Sequence, residues 1–152
     1  VIGRIMAWST FALVLVMATN VLLRYLFSTG SVWSQELEWH LMAPICLFGM
    51  SYALRHGDHV RVDVLYGGFT DRSKHFVNLV SAVAAILISI AIIYLSWFYV
   101  GQSWAIGEES ANPGGIPYRY VLKALIPVGF ALFAMQSLAE AARSLLALRS
   151  AR

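Results

Sequence analysis

The chain has little charge. Eleven Lys and Arg and eight Asp and Glu make up 12% of 152 residues, about half of the ~25% found in ordinary soluble domains. These charges are bunched, and 59% of the residues are hydrophobic. Together the two facts exclude a soluble globular domain and place the chain in a membrane. Cysteine is nearly absent. The single Cys46 lies inside an apolar run, which excludes a disulfide framework and a cysteine-only metal site within one copy. The net charge of +3 comes from basic residues at the ends of apolar segments, with no basic stripe interleaved with aromatics. A nucleic-acid partner is thereby excluded, and lipid-flanking charge is the fitting reading. The sequence also has no internal repeat, acid/base pair, nucleophile constellation or phosphate loop, so it reads as neither an enzyme nor a duplicated transporter.

What is present is a set of four apolar runs in one membrane domain, residues 1–152. Residues 5–23 carry no charge and as a helix would extend about 28 Å, close to the ~30 Å of a bilayer's hydrocarbon core. The run is too long for the h-region of a signal peptide, and no convincing small-x-small cleavage site follows it. The chain begins at Val1 rather than Met, as expected if residues precede it. The second run, 39–54, is shorter and holds Pro44 one turn from its start, where the missing N–H is least damaging. It crosses if Arg55 snorkels. The third, 76–107, is longer than one perpendicular helix needs. Gly101, Gln102 and Ser103 are poor helix formers beside the aromatic belt of Trp97, Tyr99 and Trp104, so the span is expected to end near Gly101. The fourth contains Pro127 in its first turns. The expected spans are about 5–26, 37–55, 75–101 and 120–148, an all-α membrane protein.

No charged residue falls at mid-depth in these spans, where a proton or ion relay would need one and where insertion costs at least ~2.5–3.5 kcal/mol. Thr19, Asn20, Cys46, Ser51, Ser81, Ser89, Gln136 and Ser137 are read as groups hydrogen-bonding between helices. Orientation follows from the basic residues of the connections. Arg4, Arg55, Arg61, Arg72, Lys74, Arg143, Arg149 and Arg152 would lie on one side and Arg24, Arg119 and Lys123 on the other, so both termini are expected inside. Between spans two and three, the stretch from His59 to Phe69, around the apolar 60–65, is expected to lie along the inner surface as an amphipathic segment, with Val62, Val64, Leu65 and Phe69 toward lipid or a partner and Arg61, Asp63 and the histidines toward water. The outer loop 107–119 places Asn112, Pro113, Gly114, Gly115 and Pro117 behind Glu108 and Glu109, a constrained turn rather than a helix.

Histidines invite a metal reading. His40 is expected outside while His56, His59 and His75 are inside, so no facing pair exists for haem. His56, Asp58 and His59 are suitable zinc ligands by type, although such spacing is common in polar loops. The more informative cluster is at the outer end of span one, where Asn20 and Arg24 share a face. Trp33, Glu36 and Glu38 follow. Arg24 is expected to pair with Glu36 or Glu38 and to pin two helix ends, with Trp33 as an interface anchor.

Several segments together are similar to one known family. NVLLRYLF at 20–27, Trp33 and Glu36, Gly49, HVRVDVL at 59–65, GIP at 115–117 and IPVGF at 126–130 resemble the small membrane subunit of tripartite ATP-independent periplasmic (TRAP) transporters, the DctQ family. The resemblance runs over nearly the whole chain in order. It implies a non-catalytic, cofactor-free, multi-pass subunit of the bacterial inner membrane that scaffolds a large multi-span permease. The sodium and substrate sites would reside in that partner, and a periplasmic binding protein would deliver a solute of organic-acid type. The family positions carried over are Asn20, Arg24, Tyr25, Trp33, Glu36, His59, Arg61, Asp63, Gly115, Ile116, Pro117, Pro127 and Gly129, with Glu38 beside them, all implied as structural or interface positions. Glu108 and Glu109 are candidates for contact with the binding protein. The basic end at Arg143, Arg149 and Arg152 favours a separate large subunit. A membrane anchor for a redox enzyme and a small self-assembling channel are the competing readings. The orientation is checked by C-terminal fusions: a cytoplasmic reporter is expected to be active and a periplasm-dependent one silent.

Overall fold

The computed structural model describes residues 2–57 and 67–150, and every regular element among them is an α-helix. The helices are α1 (Ile2–Phe27), α2 (Val32–His56), α3 (Asp71–Ala105) and α4 (Arg119–Ser150). The amphipathic stretch read around 60–65, with His59, Arg61 and Asp63, lies outside the described residues, as does Asp58 of the zinc reading.

The helices pack as a row in the order α1, α2, α4, α3, and the α3–α4 pair is the most extensive contact. Its seam explains why. Ala82, Ser89, Ser96 and Ser103 of α3 are buried, each seven residues after the last, and Ser137 and Ser144 of α4 repeat the same interval. A seven-residue interval keeps one narrow stripe on a neighbouring helix through a left-handed crossing. The stripe consists of small side chains because lipid tails are as apolar as leucine. In such a solvent, helices associate through close van der Waals approach rather than apolar burial. Large apolar groups face outward accordingly: Trp8, Leu22, Leu87 and Trp97 are all exposed, and Ala82 is the one buried hydrophobic residue among those described.

Ser89 and Ser137 do not bond across the seam, and the buried Ser103 hydroxyl has no hydrogen-bond partner among the described residues. The hydroxyls of Ser51, Ser89 and Ser137 donate to carbonyls of their own helices, at Phe48 (3.0 Å), Ala85 (2.7 Å) and Phe133 (2.8 Å). The expectation of interhelical bonds from these residues is corrected: back-bonding satisfies the hydroxyl locally and leaves a small, dry surface. Among the groups named at depth, Asn20 does bond between helices, with Glu38 and Ser34 of α2.

Two further expectations change. The third helix does not stop at Gly101 but runs to Ala105. Ser103, in that final turn, is fully buried, so tertiary packing overrides the weak local propensity. Pro44 is not near a helix start, because α2 begins at Val32 with Ser31 as N-cap in extended conformation. It therefore removes a hydrogen bond from mid-helix, a break that membrane helices tolerate when neighbours pack around it.

By length and composition, three helices are apolar enough to cross a membrane: Gly3–Phe27, Asp71–Ala105 and Arg119–Arg149. The exception is α2, where Glu36, Glu38 and His40 at one end and Arg55 and His56 at the other shorten the apolar middle.

Gly129 sets the approach of α4 to α2. A Cβ there would lie 2.7 Å from Leu47 Cβ and 3.3 Å from the Leu47 carbonyl oxygen, and neither atom moves without backbone shift. Gly129→Ala is therefore expected to lower unfolding stability in detergent by about 1–2 kcal/mol, a ~1–3 kcal/mol overpacking penalty exceeding the ~1 kcal/mol gain in helix propensity. Gly101→Ala, which meets nothing within 4 Å, is the control and is expected to be neutral or slightly stabilising.

Candidate functional site

Of the cluster expected at the end of the first span, Asn20 and Glu38 meet each other, while Glu36 is surrounded instead by residues from the loop before α4. Ser31 caps α2, which begins at Val32, so Glu36 falls in its second turn and points toward α4 and the loop that precedes it. The side chain is 2% exposed, and every donor around it comes from the loop or the start of α4. On Oε1 it accepts from the Ser110 hydroxyl, from Asn112 Nδ2 (3.4 Å) and from Arg119 Nη2 (3.4 Å). On Oε2 it accepts from the Ile116 backbone N–H at 2.7 Å. Charge-assisted bonds to a carboxylate are among the stronger ones a protein makes.

The loop is shaped to deliver those donors. Glu108 N–H donates to the Ser103 carbonyl (3.0 Å), Gly115 N–H to Asn112 (3.0 Å) and Arg119 N–H to Glu108 (3.0 Å), so the two arms of the loop are closed on each other. Asn112 N–H also donates to the Ser110 hydroxyl at 3.2 Å. Tyr118 takes up φ +62°, a region bulky residues enter only under compulsion from their surroundings. Gly115 is required by space: a Cβ on it would stand 2.6 Å from Glu36 Oε2. The GIP motif thus supplies a gap at Gly115, a donor at Ile116 and an exposed Pro117 that leads into the strained turn.

A second pair braces the corner. Lys123 Nζ bonds Glu108 Oε2 and also sits 4.0 Å from the centre of the Tyr99 ring, while Trp104 and Tyr120 meet edge to face at 4.6 Å. A third contact ties α1 in. Asn20 Nδ2 donates to Glu38 Oε1 at 2.6 Å, and the Ser34 hydroxyl donates to Asn20 Oδ1.

Arg24 is the residue that behaves otherwise than expected. It pairs with neither Glu36 nor Glu38, and no ion pair is recorded for it among the described residues; its side chain is exposed beside the small polar cleft of Thr29, Ser31 and Gln35. Asn20, one turn back on α1, takes Glu38, and Arg119 takes Glu36. The two acids are two residues apart on α2 and so face different neighbours. Arg119 was readable only as a basic residue flanking the fourth span, because its partner is 83 residues away in sequence. Tyr25 and Trp33 are exposed, and Pro127 is half-buried inside α4. Of the two loop acids, Glu108 is engaged with Lys123 and Glu109 is exposed.

The histidines that are described serve the backbone. The His40 ring lies 2.7 Å from the Glu36 carbonyl and His56 lies 2.9 Å from that of Tyr52. Among the described residues no three of His, Cys, Asp and Glu stand close enough to hold a metal.

This is the architecture of an all-helical chain with helices long and apolar enough to cross a membrane. The chain matches the family model described as tripartite ATP-independent periplasmic transporters, DctQ component, over residues 13–147, and it belongs to that family, whose members are transport components rather than enzymes. Among its relatives is the C4-dicarboxylate TRAP transporter small permease protein DctQ of Vibrio cholerae, 24% identical over 84% of this chain and 63% of that protein. Another is the ectoine TRAP transporter small permease protein TeaB of Halomonas elongata, 27% identical over 87% of this chain and 69% of the relative. The chain thus spans somewhat under two thirds of the first relative's length. The family assignment disfavours the redox-anchor and channel readings.

Four donors on one carboxylate, led by Ser110 and Ile116, lower the Glu36 pKa from 4.5 to about 2, and Lys123 lowers that of Glu108. A depressed folded pKa means stability that is present above the unfolded value and lost as pH falls through the folded one. The thermal midpoint of the wild type is therefore expected to fall as pH drops from about 4.5 toward about 2. In Glu36→Gln that fall should be smaller, leaving the share from Glu108. At neutral pH, limited proteolysis of the 108–117 loop should rise in the order wild type, Glu36→Gln, Glu36→Ala. Equal cleavage of all three would show that Glu36 does not hold the loop.

Proposed function

We propose that the chain is the non-catalytic small subunit of a sodium-coupled TRAP transporter in a bacterial inner membrane. In this reading it forms the immobile frame against which a large permease subunit works. The observation that carries this is the Glu36 corner: its polar and charged groups are spent on locking one helix end to one loop, and among the described residues no charged side chain stands at mid-depth to bind an ion. Sodium would be bound in the partner. The related proteins are named for different solutes, C4-dicarboxylate and ectoine, which supports locating solute choice outside this subunit. An organic-acid-type solute is the proposal for this chain.

In the same reading all four helices cross, with both termini inside. The argument for α2 is its position between α1 and α4 in the row. Its 25 residues extend about 38 Å as a helix, so a helix packed along two spans must itself traverse the bilayer. Exposed Tyr25, Trp33 and the outward apolar face of α1 would meet the large subunit. At the opposite side of the corner, exposed Glu109 is the better candidate for touching the periplasmic binding protein, since the Glu108 carboxylate is occupied by Lys123.

Tagged chain extracted from its native membrane in mild detergent is expected to carry one larger, very hydrophobic partner in stoichiometric amount. Reconstituted with that partner, binding protein and a sodium gradient, uptake of a candidate organic acid should depend on this subunit. Glu109→Lys should weaken uptake while the membrane complex stays intact. Isolation of a soluble redox partner, or of the chain alone as an oligomer, would overturn the reading.

A further inference from the structure

At the end of the bundle opposite the Glu36 corner, α3 begins and α4 finishes, leaving a groove of about 690 Å³ between them. Its lining is ordered along the helices. Arg72 and Phe76 lie one turn apart on α3, and Leu145 and Arg149 lie one turn apart on α4, with Val77 and Leu148 completing the apolar part. On both antiparallel helices the cation is therefore toward the helix end and the apolar residue toward the middle. Phe76 is 60% exposed, Val77 37% and Leu145 43%, so this floor is uncovered.

Among the described residues the two arginines of the groove, Arg72 and Arg149, have no ion partner, and both are exposed. Nearby Lys74 pairs with Asp71 and Arg143 with Glu140, each at 3.5 Å, which uses the two carboxylates of this end among the described residues.

We propose that this groove is a binding site for one anionic phospholipid. Its phosphate would lie between Arg72 and Arg149, and an acyl chain would run over Phe76, Val77, Leu145 and Leu148. Charge complementarity selects the occupant. Two arginines from different helices line the same groove, and arginine is suited to bidentate contact with phosphate oxygens. The groove opens on the flank of two helices apolar enough to cross a membrane, where an anionic headgroup is available to basic clefts between helices. A helix of a partner protein would need to bring acidic groups to that same depth, whereas a phospholipid has its charge and its chain in the order the groove presents. The proposal depends on the membrane placement of α3 and α4 and not on the transport role.

The test is native mass spectrometry of the full chain in detergent, titrated with phosphatidylglycerol, with phosphatidylcholine, and with inorganic phosphate as a competitor. The wild type is expected to retain one phosphatidylglycerol, to bind phosphatidylcholine at least about tenfold more weakly, and to be unaffected by millimolar-range phosphate. Arg72→Gln/Arg149→Gln should lose about tenfold or more in phosphatidylglycerol affinity, since each basic group near an anionic lipid surface contributes about that order. Arg143→Gln, whose arginine lies outside the groove, should bind like the wild type, and Leu145→Gln should weaken retention with both arginines intact. Equal binding of the two lipids, an unchanged double variant, or displacement by inorganic phosphate would each overturn the proposal.

Discussion

The buried carboxylate of Glu36 is the constraint on which the rest of the arrangement depends. It draws α2 together with the loop after α3 and the first residue of α4, which lie 74 to 83 residues further along the chain. A carboxylate at 2% exposure is tolerable only when its lone pairs are met, because an unpaired buried charge is far more costly than a neutral polar group. The loop meets that demand through Ser110, Asn112, Ile116 and Arg119, so its shape and the ionisation of Glu36 are mutually dependent. Gly115 belongs to the same constraint, since a side chain at that position would occupy the space of the carboxylate.

The remaining packing is consistent with a solvent that offers no hydrophobic drive. The α3–α4 seam is made of serine and alanine at seven-residue intervals, and the hydroxyls of Ser89 and Ser137 are returned to their own helices. Close approach at the seam, and again where Gly129 meets Leu47, supplies the van der Waals contact that replaces apolar burial. What such contacts lack is direction: a small-residue stripe would tolerate sliding by a heptad. The Glu36 corner and the Asn20–Glu38 bond provide the register that the stripes do not, because each has donors and acceptors at single positions.

Much of this was legible beforehand. Four helices and the turn at 112–117 follow from hydropathy and turn chemistry. The failures have physical causes. Arg24 looked like the partner of Glu36 because it is near in sequence and opposite in charge, but which acid a residue can reach is decided by helix rotation, and Arg119 arrives from 83 residues further on. Gly101 looked like a helix end because local propensity is all a sequence displays, whereas burial of Ser103 extends α3 through it. Serines at depth looked like interhelical bonds, since a sequence shows the hydroxyl and not the carbonyl it meets.

The distribution of polarity also bears on the scaffold role. A subunit that moved during transport would have to remake its polar contacts in each state, and a carboxylate with four protein donors is poorly suited to that, since every one would be lost together. Concentrating such a group at one helix end, and leaving the spans with back-bonded serines, produces an element that resists deformation at its corner while exposing an apolar flank along its length. α1 is held differently, by α2 alone within the row and by one amide–carboxylate bond at its end. Its outer face is accordingly the most fully uncovered of the four, with Trp8, Phe11, Leu22 and Leu26 all exposed. A frame of this kind needs its outward face to be apolar and its inward polarity to be saturated. Any free charge at mid-depth would compete for the ions that, in the proposed complex, belong to the partner.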